Sequence, residues 1–326
     1  MTGSENKRIL VPMPEPAARA IELYRLPIFD LLFEAHSIHR KFHRLDDVQR
    51  CALLSIKTGA CPEDCAYCGQ SAHYRTGVER EPLLSVQRVR EAAQAAKDRG
   101  AQRFCMGAAW RQAPQGEPFQ RVLQMVREVK TLGLEACATL GMLTPEQASA
   151  LKDAGLDAYN HNLDTSREFY PNIITTRTYE DRLSTIRAAR KAGLTICSGG
   201  ILGLGETPED RCAMLQELAA LDPQPESVPI NLLMPMPGTP LENARPVETL
   251  DLIRTVAVAR LLLPKSRVRL AAGRVRLSPE AQLMAFFAGA NSIFIGDKLL
   301  TAPNPAAAED EPMLAAIGAS CPDSQN

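Results

Sequence analysis

Apolar positions recur at helical spacing through Ile28-Phe-Asp-Leu-Leu-Phe-Glu-Ala-His-Ser-Ile-His-Arg-Lys-Phe42, which predicts an amphipathic helix lying on a larger body. His36, His39 and His43 fall on or beside it. No Glu or Cys is paired with them as in a zinc-binding helix, so they are read as solvated or capping residues. Residues 1–50 are therefore expected to form an N-terminal helical extension. From Cys51 onward the rhythm changes. Short apolar runs at 52–57, 103–108, 134–140, 157–162, 194–199, 227–233, 267–271 and 292–295 alternate with helical stretches. The helix starts are explicit at Ser85-Val-Gln-Arg, Thr144-Pro-Glu-Gln, Thr207-Pro-Glu-Asp and Ser278-Pro-Glu-Ala, each with a hydroxyl at the N-cap. The ends Lys97-Asp-Arg-Gly100, Lys130-Thr-Leu-Gly133, Lys152-Asp-Ala-Gly155 and Arg190-Lys-Ala-Gly193 place a cation in the last turn and glycine just after it.

Eight strand–helix units predict an α/β fold, a (β/α)8 TIM-type barrel over 51–302; a doubly wound open sheet is the alternative. Polar residues favour closure. Cys105, Cys137, Asn160, Asn162, Cys197, Asn231 and Arg269 all lie on strand candidates. Strands buried on both faces should read as apolar runs, so polar groups on many of them converge only around one cavity. Residues 303–326 are read as a C-terminal tail, with a surface loop through Asn304-Pro-Ala-Ala-Ala-Glu-Asp-Glu-Pro312 and a short helix over 313–317.

Composition narrows the partners. Lys and Arg number 37 against 38 Asp and Glu, and the formal net charge is -1, so no basic excess tracks a nucleic acid backbone. No apolar run is long enough to span a membrane, and no signal peptide is visible. Nine cysteines in a long chain without a leader argue against a disulfide framework and for metal or redox use in the cytoplasm. Cys51 and Cys212 are expected as buried small hydrophobes, and Cys321 as incidental.

Cys61-Pro-Glu-Asp-Cys65-Ala-Tyr-Cys68 gathers three thiols in a loop after the first strand candidate. Thiolates suit zinc or iron–sulfur clusters. Structural zinc needs a fourth ligand, for which His73 is available, whereas a [4Fe–4S] cluster on three cysteines leaves one iron open. Active sites of this fold lie on such loops. Cys105, Cys137 and Cys197, on three other strand candidates, form a second set if the barrel closes; the alternative is three unrelated core cysteines. Arg269, on a further strand, is costly in a barrel interior unless an anion pairs with it. Gly199-Gly-Ile-Leu-Gly-Leu-Gly205 would let backbone approach a flat ligand, or be a plain turn. Asn160, Asn162 and Asp164 alternate and share a face, suiting ribose hydroxyls or a urea-like ring.

The cysteine spacing, with Tyr67 before the third cysteine, resembles the radical S-adenosylmethionine enzymes. Further segments narrow the resemblance to the biotin synthase family: Cys105-Met-Gly-Ala-Ala-Trp110, Tyr159-Asn-His-Asn-Leu-Asp-Thr-Ser166, Ile173-Ile-Thr-Thr-Arg-Thr-Tyr179, Cys197-Ser-Gly-Gly-Ile-Leu-Gly-Leu-Gly-Glu206, Arg269-Leu-Ala-Ala-Gly-Arg274 and Ala288-Gly-Ala-Asn-Ser-Ile-Phe294. The resemblance implies a homodimeric sulfurtransferase that converts dethiobiotin to biotin, the last step of biotin biosynthesis, by radical sulfur insertion. It implies a [4Fe–4S] cluster on Cys61, Cys65 and Cys68 and a sacrificial [2Fe–2S] cluster on Cys105, Cys137, Cys197 and Arg269. It further implies S-adenosylmethionine contacts from Asn162, Asp164, Arg182, Asn231, Gly199 and Gly200, substrate contacts from Asn160, Asn231 and Thr301, and an electron donor of flavodoxin or ferredoxin type. Another radical barrel enzyme, such as a cofactor maturase, and a zinc-stabilised binding protein are the alternatives. The chain departs from the family pattern at Ala66 and Gly69, where many relatives carry Lys and Pro, and at Met234-Pro-Met-Pro237, which replaces a more basic segment.

Overall fold

Residues 16–319 are described by a computed structural model. Two helices lead, α1 (Pro16–Arg25) and α2 (Ile28–Phe42), followed by β1 (Gln49–Lys57). The alternating body then runs α3 (Val86–Asp98), β2 (Arg103–Ala108), α4 (Glu117–Thr131), β3 (Glu135–Thr139), α5 (Pro145–Asp153), β4 (Ala158–Asn160), α6 (Tyr179–Lys191) and β5 (Thr195–Cys197). It continues through β6 (Gly200–Leu202), α7 (Pro208–Ala219), β7 (Ser227–Leu232), α8 (Thr249–Leu262), β8 (Arg267–Leu270), α9 (Pro279–Phe287), β9 (Ser292–Phe294) and α10 (Ala307–Ala316). All pairings between these strands are parallel, and the sheet closes because β1 pairs with β9 on one side and β5 with β7 on the other. Closure decides for the barrel against the open sheet.

The helix punctuation carries the local structure. Ser85, Thr144, Thr207 and Ser278 each accept a backbone N–H three residues on, and Thr144 and Thr207 form full capping boxes. Gly100, Gly133, Gly155 and Gly193 all adopt the left-handed backbone that ends a helix.

Three expectations need correction. The fifth barrel strand is broken: β5 and β6 keep one register against β7, with Cys197 opposite Ser227 and Gly200 opposite Ile230. The break at Ser198-Gly199 faces Pro229, which has no N–H to give. The glycine-rich stretch is thus partly strand, not only loop. The run 304–312 is not a loop throughout, since α10 begins at Ala307; Asn304 Nδ2 anchors its approach on Phe294 O at 3.0 Å and Gly296 O at 2.8 Å, and buried Arg274 pairs with Asp310 at 2.8 Å. His39 is buried rather than solvated. Burial, with Arg260 nearby, lowers its pKa to about 3 and that of His43 to about 4, so both rings are neutral at physiological pH. Among the described residues, Arg260 has only carbonyls, Asn291 and His43 as hydrogen-bond partners, on the barrel floor. Cys51 and Cys212 are buried as expected, and Cys321 lies outside the described residues. Among the described residues no helix is long and apolar enough to cross a membrane.

Candidate active site

The carboxyl ends of the strands open onto a cavity of about 350 Å³. Cys61, Cys65 and Cys68 line it from the loop after β1, and Cys105, Cys137 and Cys197 line it from β2, β3 and β5. Two sets distant in sequence therefore share one space.

The loop set is held by its surroundings. Ala66 N–H donates to Ile173 O at 2.9 Å, and Asp64 gathers Thr175 N–H at 2.9 Å and Thr176 N–H at 3.2 Å. Backbone N–H groups point at the sulfurs: Glu63 at Cys61, Gln70 and Ser71 at Cys68. Burial raises all three thiols, Cys65 to about 12 and Cys68 to about 11. Free thiols are thus kept protonated, while N–H donors stand ready for thiolates, which is how a soft metal site is prepared. His73 takes no part: its Nε2 lies 3.0 Å from Pro62 O and the side chain faces outward. The fourth ligand that a zinc reading needs is not supplied by this residue.

The strand set is built by register. Cys105 stands beside Cys137, and Asn160 beside Cys197. Arg269, 1% exposed, donates to Ser292 Oγ at 2.9 Å, Gln49 Oε1 at 3.2 Å and Cys197 Sγ at 3.6 Å, and lies over the Phe294 ring. None of these partners is a carboxylate. A buried, uncompensated guanidinium is expensive, and an anionic group among the thiols would relieve it. Arg103, paired through Nε with Glu135 at 2.8 Å but with a buried Nη1 that has no partner among the described residues, stands near the same thiols. Cys51 sits in the same shell, its Sγ 3.5 Å from Gln49 Oε1 and 3.8 Å from Ser292 Oγ. The residues fit a net anionic cluster.

Between the sets stand the polar residues of β4 and its extension. Asn160, Asn162 and Asp164 all line the cavity. Asn160 Nδ2 donates to Asn162 Oδ1 and Cys197 O, both at 3.1 Å, and Asn162 Oδ1 accepts Gly199 N–H at 3.2 Å. Asp164 has a left-handed backbone, φ 70, unusual for a non-glycine residue, and is pinned by Gly199 O and Ile201 N–H. Its Oδ2 pairs with Arg182 and accepts Tyr67 O–H at 2.9 Å. Thr178 and Asp181 form a capping box that fixes the first turn of α6, from which Arg182 reaches in. Asn231 is fixed at both ends, Nδ2 to Gly200 O at 3.0 Å and Oδ1 from Ala272 N–H at 3.1 Å, and Thr301 lines the far wall from the loop after β9.

Gly199 and Gly200 stand at the broken strand rather than among the cavity-lining residues. A Cβ on Gly199 would stand 1.9 Å from Pro229 O, and one on Gly200 2.0 Å from Met214 Sδ. The packing of the broken strand by itself requires glycine at both positions. Residues without an assigned role in the sequence reading also line the wall: Glu63, Tyr67, Trp110, His161, Arg177 and Met236. Arg177 lies inside the motif Ile173–Tyr179, but nothing local in the sequence shows that this segment folds onto the cysteine loop. Two departures from the family pattern meet in space. Met236 Sδ occupies the place of a Cβ on Gly69, 1.8 Å from its ideal position, so the small residue makes room for the large one.

Residues 55–218 match the Radical SAM superfamily, and residues 229–320 the Biotin and Thiamin Synthesis associated domain. A biotin synthase of Sorangium cellulosum (strain So ce56) is 59% identical over 300 residues, 92% of this chain and 86% of that one. A biotin synthase of Gloeobacter violaceus (strain ATCC 29082 / PCC 7421) is 54% identical over 94% of this chain and 96% of its own. Among solved structures, methylornithine synthase (PylB) superposes with a TM-score of 0.77 at 18% identity, over 93% of each chain. The maturase HydG of the [FeFe]-hydrogenase gives 0.78 at 18%, over 93% of this chain and 71% of its own. At such identity the structural likeness speaks for the barrel alone, whereas the sequence relatives cover nearly the whole chain: it belongs to the biotin synthase family within the radical S-adenosylmethionine superfamily.

Proposed function

We propose that this chain converts dethiobiotin to biotin, with Cys61, Cys65 and Cys68 holding a [4Fe–4S] cluster and Cys105, Cys137, Cys197 and Arg269 a [2Fe–2S] cluster. The observation that carries the reading is that both cysteine sets face one cavity, with the buried Arg269 guanidinium of the deeper set lacking a carboxylate partner among the described residues. When bound, the two clusters and S-adenosylmethionine supply an electron, a carbon-centred oxidant and a sulfide.

The chain's own residues do the rest. Three thiol ligands leave room for a small molecule at the mouth, beside Asn162, Asp164, Arg182 and Asn231. The Asp164–Arg182 pair fixes both charges before anything binds, so little reorganisation remains. Asn160 and Asn231 offer amide groups to the urea ring of dethiobiotin, and Thr301, in the cavity wall, is assigned to its carboxylate on the family relationship. Leu53, Ala272, Phe294 and Leu299 wall the space between with apolar surface and exclude water. Homodimer formation, a flavodoxin- or ferredoxin-type donor and a cytoplasmic setting are proposed on the family relationship.

The testing variant is Cys197→Ala. Under chemical reduction it should still cleave S-adenosylmethionine, while biotin formation falls to background. Undiminished biotin formation would refute the role of the deeper set.

A further inference from the structure

The segment Ile173-Ile-Thr-Thr-Arg-Thr178 does more than lead into α6. It receives the cysteine loop: Ile173 O takes Ala66 N–H, Asp64 sits on the Thr175 and Thr176 N–H groups, and the Thr176 hydroxyl lies against Glu63. The next residue, Arg177, turns into the cavity with its side chain only 7% exposed. Its Nη2 donates to Cys65 Sγ at 3.9 Å. Its Nε lies 3.9 Å from Glu63 Oε2 and has no hydrogen-bond partner among the described residues. Cys61 and Cys68 receive backbone N–H groups. The donor to Cys65 is a charged side chain.

We infer that Arg177 is a positioning residue for the iron–sulfur cluster, holding the Cys65 sulfur and raising the potential at which the cluster takes up its electron. The inference rests on the reading of Cys61, Cys65 and Cys68 as cluster ligands. A cluster on three thiolates becomes more negative when it gains one electron from the donor. A buried cation favours that state, and an N–H aimed at a ligand sulfur withdraws charge in the same sense. Glu63, 2% exposed, acts in the opposite direction and is itself balanced by Arg111, 3.5 Å away. Arg182 and Asp164 also act on Cys65 and Lys57 on Cys61, but Arg177 is the side chain that donates to a sulfur of the loop set.

The test is an anaerobic redox titration of the reconstituted full chain, followed by electron paramagnetic resonance, with iron and acid-labile sulfide measured on the same samples. Arg177→Met should keep wild-type iron yet hold about tenfold less reduced cluster at a fixed potential, a downward shift of ~59 mV for one electron. Arg177→Lys should fall between the two, and Glu63→Gln should shift upward. A wild-type potential in Arg177→Met with full iron overturns the inference. So does a downward shift in Glu63→Gln, which would mark general loosening. If Arg177→Met loses its iron, the opposite signs of Arg177→Lys and Glu63→Gln still decide; equal signs overturn it. Wild-type protein containing zinc and no acid-labile sulfide would instead sink the cluster reading itself, so the two failures are distinct.

Discussion

The two cysteine sets are built in opposite ways. The mouth set lies within eight residues of one loop and is held by backbone N–H groups, by the 173–177 segment and by Arg177. The deeper set comes from three strands and is held by barrel register, with Arg269 clamped by Gln49 and Ser292. A loop can shift to admit and release a small molecule. Strand-borne ligands keep their spacing as rigidly as the barrel does. The difference suits a mouth site that exchanges its ligand each cycle and a deeper site that must present one group at a fixed place.

The sharpest way to separate the sets is to remove one ligand from each. Cys65→Ala should abolish both S-adenosylmethionine cleavage and biotin formation, to background in each assay, whereas Cys197→Ala should lose only the second. Equal loss of both activities in the two variants would show that the sets are not independent.

Next in size is the ion pair between them. Asp164→Asn leaves buried Arg182 without its counter-charge, a change that costs about 3–5 kcal/mol for a buried pair. Chemical denaturation should show that loss, and binding of S-adenosylmethionine should weaken with it. Unchanged stability would mean that Arg182 finds another partner.

In the deeper set, Ser292→Ala frees Arg269 Nε. Iron retention there should drop by about 10–100-fold, as for other outer partners of metal ligands, while the mouth set keeps its iron. Loss from both sets would contradict the separation.

A smaller effect is expected at Gly69. Gly69→Ala forces the flexible end of Met236 out of its place and should destabilise by about 1 kcal/mol, the low end of overpacking costs. Adding Met236→Ala should restore much of it. Additive losses in the double variant would show that the two residues do not compete for space.

The smallest concerns the floor. His39 and His43 are neutral in the fold with pKa values lowered to about 3 and about 4, while the unfolded chain takes up protons near the ordinary value of 6.5. The unfolded state therefore binds more protons between those limits, and stability should fall as pH drops from about 6.5 towards 4. A melting curve series should show this slope, and His43→Gln should flatten it.

Much of the architecture was legible because each unit announces itself. Ser85, Thr144, Thr207 and Ser278 mark helix starts through their own side-chain bonds, and the loop triad is a local spacing. The deeper set could be suspected from polar residues on strands, but its assembly depends on closure, which periodicity does not encode. Gly199 and Gly200 could not be assigned from the sequence, because a glycine demanded by Pro229 and Met214 looks the same there as one demanded by a ligand. Arg177 stayed hidden because its partner, Cys65, lies over a hundred residues away on another loop. The segment 304–312 misled because its alanines, acids and prolines read as surface, while Arg274 and Asn304 tie it to the barrel.

The division of labour is tested most directly by Mössbauer spectroscopy of the iron-enriched protein, before and after anaerobic incubation with dethiobiotin, S-adenosylmethionine and a reductant. Two iron signals should be present at the start, and the one belonging to the deeper set should disappear as biotin forms while the other persists. A single iron site, or two signals both unchanged while biotin accumulates, would contradict it.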